Sequence, residues 1–167
     1  MTQIKSLDFV STGLAYALFG GIVGLVFGVL ALVLGSVLGS LLQSLLPGSS
    51  SLLGVGVVAL VVMIVLAVVG GFIEGVIFAL LYNYVFSRWV KLSGNGNPLA
   101  SFDYVSSGVV FGVISAVVSA LLALISLNIV GIVVGLITGF IGGFVFGLVF
   151  ALLYNLVVSR FVKIAVQ

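Results

Sequence analysis

The sequence contains no cysteine and no histidine, and only 5% of its 167 residues are charged. The missing cysteines exclude disulfides and thiolate metal sites, and the missing histidines remove the commonest side-chain base and metal ligand. Five basic and three acidic residues are too few for the basic patch of a nucleic-acid-binding surface. We therefore predict no cofactor, no metal site and no nucleic-acid partner, and we find no catalytic constellation.

Apolar side chains dominate the chain instead. Hydrophobic residues make up 63% of it, and the mean hydropathy is +1.59. Soluble domains carry about 25% charged residues, so this chain lacks the polar side chains that would cover a water-facing surface. The lipid bilayer is therefore the predicted environment. The first apolar run is much longer than the core of a signal peptide, which favours a retained membrane span.

One stretch of the sequence occurs twice. Residues 70–92 and 142–164 are identical at 15 of 23 aligned positions and share the block FALLYN and the ending S-R-x-V-K. The segment LDFVSTG at 7–13 is likewise echoed by FDYVSSG at 102–108. Each copy contains two apolar runs separated by a turn. We expect an all-α integral membrane protein whose four transmembrane helices form two tandemly duplicated hairpins.

Turn residues set the expected boundaries. Pro, Gly and Ser at 47–51 and the segment SGNGNP at 93–98 break the apolar runs. The predicted order is repeat 1 at 1–93 (helices at about 8–46 and 52–92), a cytoplasmic linker at 94–101, and repeat 2 at 102–167 (helices at about 103–126 and 129–164).

The two repeats differ in length. The aligned positions are 95 residues apart at the aspartates and 72 apart at the Tyr-Asn pairs, so repeat 1 carries 23 extra residues near its tip. A span needs about 20 residues, which leaves three alternatives for the extra residues. They re-enter the membrane, they project outward under a partner, or the membrane is thick.

Basic residues define the expected topology. They occur at the chain ends and in the central loop, namely Lys5, Arg88, Lys91, Arg160 and Lys163. The positive-inside rule then places both termini in the cytoplasm of a multi-pass protein of the cell membrane. Aromatic residues near the same ends are typical of an interfacial belt; they are Tyr82, Tyr84, Phe86, Trp89 and Tyr154.

Glycines recur at four-residue spacing along the predicted helices. The candidate packing residues are Gly20, Gly24, Gly28, Gly71, Gly75, Gly131, Gly135, Gly139, Gly143 and Gly147. Such spacing allows helix backbones to approach closely. These rows either pack the four helices of one chain or form the contact face of a homo-oligomer.

Polar residues are predicted to meet at the cytoplasmic end of each hairpin. They are Asp8, Ser11, Asn83 and Arg88 in repeat 1, and Asp103, Ser106, Asn155 and Arg160 in repeat 2. The aspartates can cap the helices that they precede and could pair with the arginine of the same hairpin. The asparagines can both donate and accept hydrogen bonds across the helix pair. The set forms either a polar clasp that closes each hairpin or a site for a cytoplasmic ligand or lipid headgroup.

Glu74 is the one ionisable residue deep within an apolar run, and its counterpart in repeat 2 is Phe146. It lies half a helical turn out of phase with Asn83, so we expect it to face the bundle centre, a pore or another subunit. An intramembrane acid is a functional hypothesis by default. The alternatives are a transport or proton role, a hydrogen bond to a Ser or Thr, and a contact to a partner.

The opening KSLDFVS at 5–11, the glycine-spaced helices and the ALLYN stretches at 79–83 and 151–155 resemble small prokaryotic membrane proteins. Among these is the DUF3566-type transmembrane domain, whose helix ends in a similar A-x-x-Y-N stretch. The resemblance covers both repeats. It implies a membrane hairpin module and assigns no activity.

These observations favour a non-enzymatic structural or accessory membrane protein. It is expected to pack through its glycine-rich faces in a homo-oligomer or a larger membrane complex, with itself or other membrane subunits as partners. The alternative is a small channel or transporter that uses Glu74. A single mid-membrane acid is fewer polar groups than a permease normally carries, which favours the first function.

Overall fold

A computed structural model describes residues 2–45, 53–126 and 129–166 of the chain. Its long helices are α1 (Phe9–Leu45), α2 (Leu53–Leu81), α3 (Tyr104–Ile125) and α4 (Ile129–Leu156). Each is long and apolar enough to cross a bilayer. The predicted all-α fold with four membrane helices is therefore confirmed, and the protein is a multi-pass membrane protein. The predicted turns at 47–51 and 127–128 lie outside the described residues.

The helices are apolar around their whole circumference and not along one stripe. Large apolar side chains on several sides of each helix are exposed on the isolated chain, including Leu25, Val26 and Phe27 at consecutive positions of α1. In water such a surface would be unfavourable, whereas lipid solvates it. The bilayer therefore explains why so apolar a chain leaves so much of its surface uncovered.

Two of the helices end earlier than predicted. α2 gives way at Tyr82–Phe86 to one π-helical turn, and α4 is followed by a 3-10 turn at Val158–Arg160. The predicted limits were residues 92 and 164. The chain after each helix leaves the helical path because its backbone groups pair with other segments at this end of the bundle.

A small antiparallel sheet, which the sequence did not predict, occupies that end. Its strands are β1 (Thr2–Ile4), β2 (Leu92–Asn95) and β3 (Ser101–Phe102), in that spatial order. The predicted linker at 94–101 thus contains the end of β2, a turn and the start of β3. Gly96 in this turn has φ of +90°, a conformation that favours glycine.

We call residues 2–8, 87–103 and 157–166 the cap. It gathers both chain ends, the central loop and every basic side chain at one end of the bundle. Apolar side chains from all three segments form its interior, and they are Ile4, Leu7, Leu92, Leu99, Phe102 and Ile164. The cap is therefore a packed unit and not a set of loose tails.

Aromatic rings fill the centre of the bundle between the two hairpins. Tyr16 of α1 lies 4.5 Å from Phe150 of α4, and Phe78 of α2 lies 4.3 Å from Phe111 of α3, measured between ring centroids. Tyr16 and Phe111 stack at 6.0 Å. Such pairs add about 0.5–1.5 kcal/mol beyond the area they bury. This cluster joins the two hairpins.

Glycines bring the two helices of each hairpin into contact. A methyl group on Gly71 would lie 2.5 Å from the carbonyl oxygen of Tyr16, and one on Gly143 would lie 2.5 Å from that of Phe111. Nine of the ten predicted packing glycines meet the opposite helix of their own hairpin in this way; they are Gly20, Gly24, Gly28, Gly71, Gly75, Gly135, Gly139, Gly143 and Gly147. These rows therefore face the interior of the hairpins, and the tenth, Gly131, lies on α4 ahead of them.

Candidate functional site: a polar clasp and an intramembrane groove

Two tyrosine hydroxyls bridge backbone segments inside the cap. The Tyr82 hydroxyl donates to the carbonyl oxygen of Ile4 at 2.6 Å and accepts from the amide of Leu92 at 3.0 Å. These two residues face each other across strands β1 and β2. A single side chain from the end of α2 thereby satisfies one donor and one acceptor that would otherwise be buried without partners.

Tyr154 repeats this arrangement at the end of α4. Its hydroxyl donates to the carbonyl oxygen of Leu99 at 2.9 Å and accepts from the amide of Ile164 at 3.0 Å. Both tyrosines are fully buried. The predicted interfacial belt is therefore wrong for Tyr82, Tyr154 and the buried Phe86, because the cap covers them; Tyr84 and Trp89 are exposed.

The asparagine that follows each tyrosine binds the chain just before the first helix of its own hairpin. Asn83 accepts from the amide of Leu7 and donates to its carbonyl oxygen, both at 2.8 Å. Asn155 makes the same two bonds to Phe102, at 2.8 and 2.9 Å. The carboxamide has the donor and acceptor of a peptide group, so it pairs with the backbone as a neighbouring strand would. The two asparagines thus close their hairpins.

The aspartates cap the helices that follow them. Asp8 accepts from the amide of Ser11, and Asp103 from that of Ser106, each at 2.8 Å. The hydrogen bond from the Ser11 backbone amide, supported by the Ser11 side chain, lowers the pKa of Asp8 below its usual value. Each carboxylate thereby satisfies a free amide of the first helical turn.

The serines connect one hairpin to the other. The Ser11 hydroxyl accepts from the amide of Ala165, and the Ser106 hydroxyl accepts from the amide of Ser93, both at 3.0 Å. Ala165 follows α4 while Ser11 begins α1, so this contact crosses between the repeats. The sequence predicted ties within each hairpin only. The structure adds ties between hairpins, because the segment after each second helix lies against the start of the other hairpin.

The arginines are not part of this network. The expected pairs of Asp8 with Arg88 and of Asp103 with Arg160 do not form in the described structure, since backbone amides occupy both carboxylates. Arg88 and Arg160 are exposed on the cap surface.

The clasp can be redefined from these contacts as Asp8, Ser11, Tyr82, Asn83, Asp103, Ser106, Tyr154 and Asn155. Each of its side chains is bonded to backbone groups of the same chain. These side chains therefore hold segments of the chain together, because their hydrogen bonds are made to its backbone. The tyrosines were missing from the predicted site, although their repetition within FALLYN was a signal that could have found them.

A second candidate site lies within the membrane span. A groove of about 480 Å³ is lined by α1 between Tyr16 and Phe27, by α2 between Met63 and Glu74, and by Phe146 of α4. Apolar and glycine positions make up most of its lining. Glu74 is exposed on the isolated chain and contributes the only carboxylate of the groove.

Tyr16 also lines the groove, but its hydroxyl is buried beneath the lining. The residue is 4% exposed, and its hydroxyl is buried without a hydrogen-bond partner in the described structure. It lies within electrostatic range of Glu74. A buried hydroxyl without a partner is uncommon in a folded protein and costs about 1–3 kcal/mol. The sequence analysis did not single out Tyr16. The signal that could have found it is the difference from the aligned position in repeat 2, which is Phe111.

Groups that could hold a metal ion do not cluster among residues 2–45, 53–126 and 129–166. Comparison of the chain with protein-family models, with curated proteins and with solved structures finds no match. The resemblance based on the ALLYN motif therefore stays a prediction, and the two sites described above carry the functional argument.

Proposed function

We propose that this protein is a non-enzymatic structural or accessory subunit of the cell membrane, assembled with copies of itself or with other membrane proteins. In this proposal the cap and both termini face the cytoplasm, as the positive-inside rule favours. The observation that carries the proposal is the length of α1.

α1 is one continuous helix of 37 residues, which is about 55 Å long. Even at a tilt of 40°, near the upper end of the usual range, it would cover about 42 Å, whereas the hydrocarbon core is about 30 Å thick. Its described part does not bend back as a re-entrant half-helix. The helix contains no charged residue, and an uncovered apolar projection into water is unfavourable. Another polypeptide around its outer end would remove that cost.

The clasp supports the same function. It fixes both hairpins to one cap, and its polar side chains are engaged by backbone groups rather than left free for a reaction. The glycine rows are occupied inside the hairpins, so we propose that contact with other subunits uses the outer helix faces. This differs from the expectation of an oligomer held by glycine rows.

The test is the mass of the protein after gentle extraction from its native membrane. We expect a discrete complex that exceeds the detergent-bound single chain, and mass spectrometry of the complex would identify its subunits. A monodisperse single chain from membranes treated with a crosslinker before extraction would contradict the proposal.

A second candidate function is a small channel or transporter that uses Glu74. The observation that favours it is the position of this carboxylate in a membrane-depth groove. Because aromatic rings fill the bundle centre, a path would run along the groove and not through the middle of one chain. Flux in liposomes that is abolished by Glu74→Gln would support this function, whereas equal flux in both proteins would refute a role for the acid.

A further inference from the structure

Two residues that line the groove between α1 and α2 carry polar groups that have no counterpart in repeat 2. In repeat 2 the positions aligned with Tyr16 and Glu74 are Phe111 and Phe146. Those two rings pack against each other at 5.6 Å. The same place in the same kind of hairpin is thus built from two apolar rings. The hydroxyl and the carboxylate of repeat 1 therefore call for an explanation other than packing.

Glu74 lies far from water along the membrane normal. Glu74 is 14 residues from Leu60 and 12 from Phe86, the ends of the candidate span of α2, or about 21 and 18 Å along the helix. A carboxylate near mid-membrane is costly unless a partner compensates it. No hydrogen bond to Glu74 is formed within the described residues, and the Tyr16 hydroxyl also has no partner. The described part of this chain therefore does not supply the compensation.

We infer that the groove binds a hydrophobic amine, that is, an apolar molecule with one cationic nitrogen. A carboxylate accepts charge-assisted hydrogen bonds from an ammonium group. Aromatic rings beside the acid favour a cation as well, and they are Tyr16, Phe19 and Phe146. The charge of the site therefore selects the amine.

The shape of the groove fits the apolar part of such a ligand. From Tyr16 to Phe27, and from Met63 to Glu74, the lining extends over 11 residues of each helix, or about 17 Å. The volume of about 480 Å³ falls in the range of small-molecule sites. The carboxylate of Glu74 is at one end of the trough, so a single chain or flat ring system can lie along the glycine-lined remainder. A phospholipid fits poorly, because its anionic phosphate would face Glu74 far from the headgroup region.

The inference is independent of the proposed assembly and is tested by a different measurement. Native mass spectrometry of the full chain in detergent would count bound dodecylamine, with dodecanol and dodecanoate as probes of the same chain length. We expect amine binding that exceeds alcohol binding by at least about tenfold, the effect of one charge-assisted hydrogen bond, and no dodecanoate binding. Glu74→Gln should abolish the preference for the amine.

Two further variants keep the result interpretable. Ile73→Gln adds the same amide at a neighbouring exposed position that does not line the groove, and it should bind the amine normally. Glu74→Phe copies repeat 2 and should fold while losing the site. Equal binding of amine and alcohol, or amine binding that Glu74→Gln leaves unchanged, would overturn the inference. So would failure of the amine to bind together with loss of self-association in Glu74→Gln, which would assign the groove to a second copy of the chain.

Discussion

Removing the hydroxyl of Tyr82 tests the structural role of the clasp with little other disturbance. Tyr82→Phe retains the ring and therefore leaves no large cavity, but it removes both hydrogen bonds of the hydroxyl, to Ile4 and to Leu92. The carbonyl and amide that lose their partner are buried in the cap. Each lost bond is worth about 1 kcal/mol, and a buried group left without a partner costs about 1–3 kcal/mol. We expect a loss of about 2–4 kcal/mol in the free energy of unfolding.

The assay is equilibrium unfolding in mixed micelles, followed by circular dichroism at increasing denaturing-detergent fraction. Tyr154→Phe should give a loss of similar size, because its hydroxyl makes the equivalent pair of bonds. Tyr84→Phe is the matched control: this residue is 74% exposed, and its substitution should change the free energy of unfolding by less than about 0.5 kcal/mol. If Tyr82→Phe were as stable as Tyr84→Phe, the hydrogen-bonded clasp would not hold the cap.

Three further predictions concern packing, pH and the groove. Gly143→Ala should destabilise the protein by about 1–3 kcal/mol, because the new methyl would lie 2.5 Å from a carbonyl oxygen of α3. The control Gly142→Ala meets nothing within 4 Å and should be neutral or slightly stabilising. Detergent unfolding of the two variants measures the difference in their free energies of unfolding. The Asp8 carboxylate, which caps the start of α1, has a lowered pKa in the folded state. Its stabilisation is therefore present above the unfolded pKa of about 3.9 and is lost as pH falls through the lower folded pKa. Asp8→Asn should therefore weaken the pH dependence of the free energy of unfolding in this acid range. An unchanged pH dependence would contradict the helix-capping role of Asp8. The double variant Glu74→Phe/Tyr16→Phe should fold and be at least as stable as the parent, since repeat 2 has phenylalanine at both aligned positions; misfolding on size-exclusion chromatography would show that the polar pair is structural.

The helices could be predicted well from the sequence because their signal is strong. A run of 20 or more apolar residues between polar turns has few alternatives to a membrane helix. The predicted starts at about residues 8, 52, 103 and 129 agree with the described helices within one residue. Glycine spacing also placed nine of the ten proposed packing residues at helix contacts, although it could not tell an internal face from an external one.

The cap could not be predicted from residue patterns because its contacts join segments distant in sequence. Strands of two to four residues, such as Ser101–Phe102 and Leu92–Asn95, are too short to show an alternating pattern. Pairing of the aspartates with the arginines seemed natural from their shared end of the hairpin. Backbone amides in the first turn of each helix donate hydrogen bonds to both carboxylates instead of the arginines.

The groove illustrates what a repeat comparison adds. Glu74 was identified from the sequence as an isolated acid, but Tyr16, which lines the same groove, lies 58 residues away and looks like any aromatic residue of an apolar run. Only the fold brings the two together in one lining. The contrast with Phe111 and Phe146 then shows which polar groups are additional to the common hairpin.

Photo-crosslinking at Val37 in the native membrane tests the central claim, that the outer end of α1 contacts another polypeptide. Val37 is 52% exposed on the isolated chain and lies 28 residues from Phe9, about 42 Å along the helix. Even at a tilt of 40° this is about 32 Å along the membrane normal, beyond the hydrocarbon thickness. A photoreactive residue there should give a discrete protein adduct, whereas the same residue at Val145, an exposed position of α4 within the span, should react mainly with lipid. Lipid adducts alone at both positions would contradict the account.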